Sequence, residues 1–205
     1  MRPSRGESYT AHWVMRETYI SVDIEADGPI PGPHSMLSLG AVAFDEAGTE
    51  LAAFSANLMT LDGAVGHPET MAWWQTQPAA WAACRHEPES PTTALPRFAA
   101  WLKGQPGRPV CVGYPVAFDF MFAHWYLHRF AGHSPFSHSA LDMKTMAMCV
   151  LGGRFRDATK RHMPRHWFGI EATHSHVAVD DAREQGHLFF GMLRALRSAD
   201  PPTPR

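Results

Sequence analysis

Apolar and polar positions begin to alternate at Tyr19. The run Tyr19-Ile-Ser-Val-Asp-Ile-Glu25 has the period of two that a half-buried strand requires, and Asp27-Gly28-Pro29 ends it. A loop rich in proline and glycine then leads to His34. Met36–Phe44 and Leu51–Leu58 read as second and third strands with the turn Asp45–Thr49 between them, which predicts an antiparallel meander. Thr60–Pro91 is polar, carries tryptophans and is interrupted by prolines, so short helices around a flexible rim are expected there. Beyond it the period lengthens. Leu95, Phe98, Ala99 and Leu102 share one face of a helix over Thr92–Lys103. Pro109–Gly113 reads as a buried fourth strand, and helices are predicted over Ala117–Phe130, Asp142–Val150 and Val179–Arg197. Three antiparallel strands followed by alternating helices and strands predict an α/β fold, a mixed β-sheet flanked by helices. Its expected extent is 18–198, with a flexible lead-in at 1–17 and a flexible, proline-bearing tail at 199–205.

A chain of 205 residues, 45% hydrophobic and 19% charged, has the makeup of one ordinary globular domain. No stretch of 18 apolar residues offers a membrane span, and the first residues hold no apolar segment of signal-peptide length. Cys84, Cys111 and Cys149 lack metal-ligand spacing and read as reduced thiols, which points to the cytoplasm. A formal charge of −2 argues against a protein that coats nucleic acid with a basic face. It leaves room for an enzyme that grips one strand end, above all one whose carboxylates hold cations that supply the local positive charge.

The acids are where the chemistry gathers. Asp23 and Glu25 stand at i and i+2 on the first strand, so both side chains point to one face of the sheet. Two neighbouring carboxylates repel at neutral pH, and either a cation must compensate or one of them must hold a proton. A hard divalent ion suits the all-oxygen set, although two solvated acids on a strand edge have the same sequence. Asp119 opens a helix directly after the fourth strand, flanked by Phe118 and Phe120. By itself it is accounted for by the helix dipole. His176 precedes the last helix, and Asp181 follows it by five positions. That spacing does not share a face of one continuous helix; it suits a histidine on the preceding loop and an acid in the first turn. Taken alone, a pair of capping aspartates beside an incidental histidine explains it too, in a chain with 13 histidines.

In order, Ser21-Val-Asp-Ile-Glu25, the Phe118-Asp119 helix start and His176 through Ala182 resemble the DEDDh branch of the DnaQ-like 3′→5′ exonuclease superfamily, which includes ribonuclease T. The resemblance runs from about Tyr19 to Leu196, and its last motif, with Ala178 and Asp180-Asp181-Ala182, is the most specific. It implies a ribonuclease H-like fold and a metal-dependent 3′→5′ exonuclease acting on DNA or RNA. It also implies two ions, Mg2+ or Mn2+, held by Asp23, Glu25, Asp119 and Asp181. The ions clamp the attacking and leaving oxygens, and His176 serves as general base. The implied partners are single-stranded 3′ ends or short oligonucleotides, and relatives of this kind are often homodimers. One departure stands out: where the family's first motif continues Thr-Gly, this chain has Ala26-Asp27-Gly28-Pro29 and a long loop.

Other residues admit both a functional and a blander role. Asp180 is the alternative ligand to Asp181, and His174 the alternative to His176. Trp73 and Trp74 are candidate stacking surfaces for bases, against rim packing. Met36 and Leu37 are candidate wedges against the terminal base, against burial in a strand. The basic segment Arg154–Arg165 is a candidate phosphate guide, against a solvated loop, and Asp142 a fifth acid, against a helix N-cap. A catalytically silent nucleic-acid-binding module on the same fold is the competing function. An intact set of four acids and a histidine speaks against it, because a silent module has no need of so repulsive a cluster.

Overall fold

Strand β1, Glu17–Ala26, sorts its side chains by parity. Ile20, Val22, Ile24 and Ala26 point into one apolar core, while Ser21, Asp23 and Glu25 occupy the opposite face. Strands β2 (Met36–Phe44) and β3 (Glu50–Asn57) complete the antiparallel meander. Strand β4 (Arg108–Gly113) pairs in parallel with the other edge of β1, and a two-residue β5 (Leu141–Asp142) lies beyond it. The sheet order is β3-β2-β1-β4-β5. Every residue of β2 is buried, as expected of a strand covered on both faces.

The computed structural model describes residues 16–169 and 176–198. The expected lead-in, apart from its last two residues, and the tail 199–205 lie outside them, as does His174.

One face of the sheet is covered by helices α3 (Pro91–Lys103) and α4 (Val116–Ala131), whose Leu95, Phe98, Leu102, Phe122 and Tyr126 meet the β1–β3 side chains. The other face carries α5 (Met143–Leu151) and α6 (Ala178–Ser198), packed on Val42, Phe44 and Val112. Helix α3 starts one residue earlier than predicted because Ser90 caps it, its Oγ accepting from the Thr92 N–H at 3.1 Å, and Pro91 fills the first position.

Between β3 and α3 come α1 (Pro68–Trp74) and α2 (Pro78–Cys84), each with proline in its first turn. The rim expected to be flexible is anchored. Leu37, Trp74, Ala80 and Cys84 form a small core of their own, and the Trp74 indole N–H donates to the Ala26 carbonyl at 2.9 Å. Among the described residues no helix is long and apolar enough to cross a membrane.

Candidate active site

The site forms at the carboxyl end of β1, and a glycine makes room for it. Asp23 is paired in register with Gly40 on β2, and a Cβ at Gly40 would collide with the backbone of Ala178 and Val179. Its absence lets the first turn of α6 rest directly on the sheet beside Asp23. Asp181, in that turn, is thereby buried to 0% exposure. A register shift between Glu25 and Ala26 kinks the strand just past the second acid.

Asp119 arrives from the other side. The parallel pairing of β1 with β4 stops at Ser21 and Val112, so the edge of β1 that faced β4 is open beyond that point. The carboxylate of Asp119, in the first turn of α4 and 5% exposed, reaches this edge and its Oδ1 accepts the Ile24 N–H at 3.2 Å. His176 lies just ahead of α6 with a backbone φ of 54°, in the left-handed region that few non-glycine residues adopt. Its Nδ1 is 3.9 Å from Glu25 Oε1, and Trp73 stands edge-on to its ring with centroids 5.2 Å apart. Glu25, His176 and Asp181 each present an atom able to bind a metal, all within 4.8 Å of one another.

Burial governs the electrostatics, and crowding adds to it at Asp23 and Glu25. Burial, and then the charges of Asp119, Glu25 and Asp181, hold Asp23 well above the usual carboxylate range. Burial with the charges of Asp181 and Asp119 pushes Glu25 up to about 8. Asp119 is raised to about 7 by burial, although the Ile24 N–H and the charge of Lys160 pull the other way. Such carboxylates resist ionisation until a cation joins them. Oxygen donors with a single imidazole are a set suited to a hard divalent ion, so these residues fit the metal that the family resemblance implies.

Two contributors were not singled out in the sequence. Gln185, one helical turn after Asp181, donates its Nε2–H to Asp23 Oδ1 at 2.5 Å. The i+4 spacing from Asp181 was the signal that puts it on the same face. Lys160 belongs to the basic segment but differs from its neighbours, since its charge is felt at both Asp23 and Asp119. It ion-pairs with Glu184 at 2.9 Å and lies 5.9 Å from the centroid of the Tyr114 ring, whose hydroxyl donates to the nearby Ala158 carbonyl at 2.6 Å. Arg154 instead pairs with Asp157 at 2.7 Å.

Several sequence candidates are placed elsewhere. Met36 and Leu37 are 0% exposed and belong to the cores around β2, so neither is available to wedge against a base; this corrects that expectation. Trp74, 2% exposed with its N–H taken by Ala26, is corrected likewise, whereas Trp73 is 40% exposed beside His176. Asp180 faces outward and pairs with Arg183 at 3.2 Å. Asp142 is the N-cap of α5, accepting from the Thr145 N–H at 2.8 Å, and its other oxygen accepts the Val116 N–H at 3.1 Å.

The mixed sheet between helices, with acids converging from β1, α4 and α6, is the ribonuclease H-like fold of the DEDDh exonucleases. It superposes on the nuclease domain of 3′hExo, a DEDDh family member bound to rAMP, with a TM-score of 0.61 and 11% identity over 90% of this chain and 94% of that one. Against Escherichia coli exonuclease I in complex with single-stranded DNA the TM-score is 0.64 at 17% identity, over 90% of this chain and only 42% of the exonuclease I chain. Residues 18–191 match the family described as the 3′-5′ exoribonuclease Rv2179c-like domain. The sequence is 31% identical over 178 residues to the 3′-5′ DNA exonuclease Cap18 of Escherichia coli, covering 85% of this chain and 90% of that protein. The chain belongs to the Rv2179c-like family and is a 3′→5′ exonuclease of the DnaQ-like superfamily.

Proposed function

We propose that the chain removes nucleotides singly from the 3′ end of single-stranded nucleic acid, using two magnesium or manganese ions held by Asp23, Glu25, Asp119 and Asp181. The convergence of these acids, with Glu25 raised to about 8 and Asp119 to about 7, carries the reading. When bound, the ions supply the positive charge that stabilises the attacking and departing oxygens of the phosphodiester. The rest falls to the chain. His176, only 26% exposed and beside Glu25, takes the proton of the attacking water through its neutral imidazole. Trp73 offers its exposed surface to the terminal base. Lys160 lies where a phosphate approaching Asp23 and Asp119 meets a cation.

Cap18 is named for action on DNA and the family description for action on RNA, so the assay runs both. Digestion of 5′-labelled single- and double-stranded DNA and RNA with Mg2+ or Mn2+ should yield a ladder shortened one nucleotide at a time, fastest on the single strands. Internal cuts in a circular single strand would overturn the exonuclease polarity.

A further inference from the structure

Gln185 is a costly residue to keep where it is. It is 2% exposed, and leucine would fill nearly the same volume without a buried amide to satisfy. Only one end of that amide is satisfied. Nε2 donates to Asp23 Oδ1 at 2.5 Å, while Oε1 is buried with no hydrogen-bond partner among the described residues. Once Asp23 is ionised, as a metal ligand must be, the amide cannot be reversed, since that would set its oxygen against a carboxylate oxygen. A buried group that leaves one atom unpartnered in order to make one contact points to that contact as its role.

We propose that Gln185 is a positioning residue for Asp23 that sets the divalent-ion affinity of the site; this rests on the reading of Asp23 as a metal ligand. The hydrogen bond occupies one carboxylate oxygen, fixes the plane of the group and leaves Oδ2 as the oxygen not engaged by the amide. A neutral donor suits this position better than a cation. Lysine or arginine would also hold the carboxylate, but its charge would repel the incoming ion. Because Gln185 and Asp181 are one turn apart on α6, the helix that presents one acid also orients another.

The test uses Gln185→Leu in the full chain, with Gln185→Met, unbranched and of similar length, as the second variant should the first misfold. Calorimetric titration of Mn2+ should show affinity about 10- to 100-fold weaker than wild type, the usual scale for losing a partner behind a ligand. The melting temperature in EDTA should be unchanged or higher, and kcat at saturating Mn2+ should return to within a few-fold of wild type. Asp23→Asn is titrated alongside. If it binds Mn2+ as tightly as wild type, the metal reading of Asp23 is wrong and the inference falls with it. If Asp23→Asn loses affinity but Gln185→Leu and Gln185→Met do not, the inference alone fails. A variant that melts lower in EDTA and stays slow at saturating Mn2+ would show Gln185 to be merely structural.

Discussion

Gly40 on β2 and Ala178 at the start of α6 touch backbone to backbone, with no space for a Cβ between them. Gly40 is also the register partner of Asp23, so this contact sets how closely Asp181 approaches the first acid. Gly40→Ala should therefore injure the site through packing. Relief of the overlap requires α6 to lift, at a cost of about 1–3 kcal/mol in stability. Urea unfolding should detect that loss together with a fall in kcat. Wild-type activity in Gly40→Ala would mean that the helix start tolerates displacement and that the close approach does not position Asp181.

Removing one acid from the cluster should separate activity from stability. Asp23→Asn and Asp181→Asn are each expected to abolish nuclease activity. Without divalent ions, their melting temperatures should equal or exceed the wild-type value, because a source of like-charge repulsion has gone. Substantial turnover by Asp23→Asn would contradict its assignment as a ligand.

Burial of the acids gives the metal-free protein a pH dependence of known sign. Glu25 rises from its ordinary 4.5 to about 8 on folding, and Asp119 from 3.8 to about 7. Groups raised by folding bind protons more tightly in the native state. Their stabilising contribution is complete below about pH 4 and is lost as the pH climbs through 7 and 8. In EDTA, the part of the stability profile due to these two acids should fall between about pH 4 and 8, and Mn2+ should flatten it by compensating the ionised carboxylates. An EDTA profile that rises across that window in wild type but not in the Glu25→Gln, Asp119→Asn double variant would refute the assignment.

Histidine 176 should be separable from the acids. His176→Ala is expected to lose roughly 10²–10⁴ in rate, the usual scale for removing a general base. Its Mn2+ affinity by calorimetry should stay close to wild type. In the wild-type enzyme at saturating metal, the rate should rise with pH through one ionisation and then level. Should His176→Ala lose metal affinity instead, the imidazole is a ligand, an alternative that its place within 4.8 Å of Glu25 and Asp181 makes worth measuring.

Adjacent tryptophans should behave oppositely. Trp73 is exposed beside His176, so Trp73→Ala should raise KM for an oligonucleotide, by up to the ~1–3 kcal/mol that one base–aromatic stack contributes, with little change in melting temperature. Trp74 is buried against Leu37 and Ala80, and Trp74→Ala should lose about 3–5 kcal/mol of stability. Equal effects of the two on KM would remove Trp73 from the substrate path.

Local periodicity carried most of the fold. The alternation in β1, the apolar run of β2 and the helical stripes of α3 and α6 each depend on which residues are apolar at a spacing of two or 3.6, a property written directly in the chain. Strand β5 was not legible, because two residues, Leu141 and Asp142, are too few to show a period and exist as a strand only by pairing with β4. At the site, the spacing of Asp23 and Glu25 fixed their common face, and His176 could be placed ahead of the last helix. Contacts between residues far apart in the chain were not available in that way. That Trp74 turns inward to Ala26 while Trp73 stays beside His176 depends on where α1 docks. The grip of Gln185 on Asp23 spans 162 positions and exists because Gly40 lets α6 settle onto the sheet. Sequence by itself determined which groups carry charge and on which face of their own element they stand. Tertiary structure decided which of them meet, because that depends on how closely packed backbones can approach.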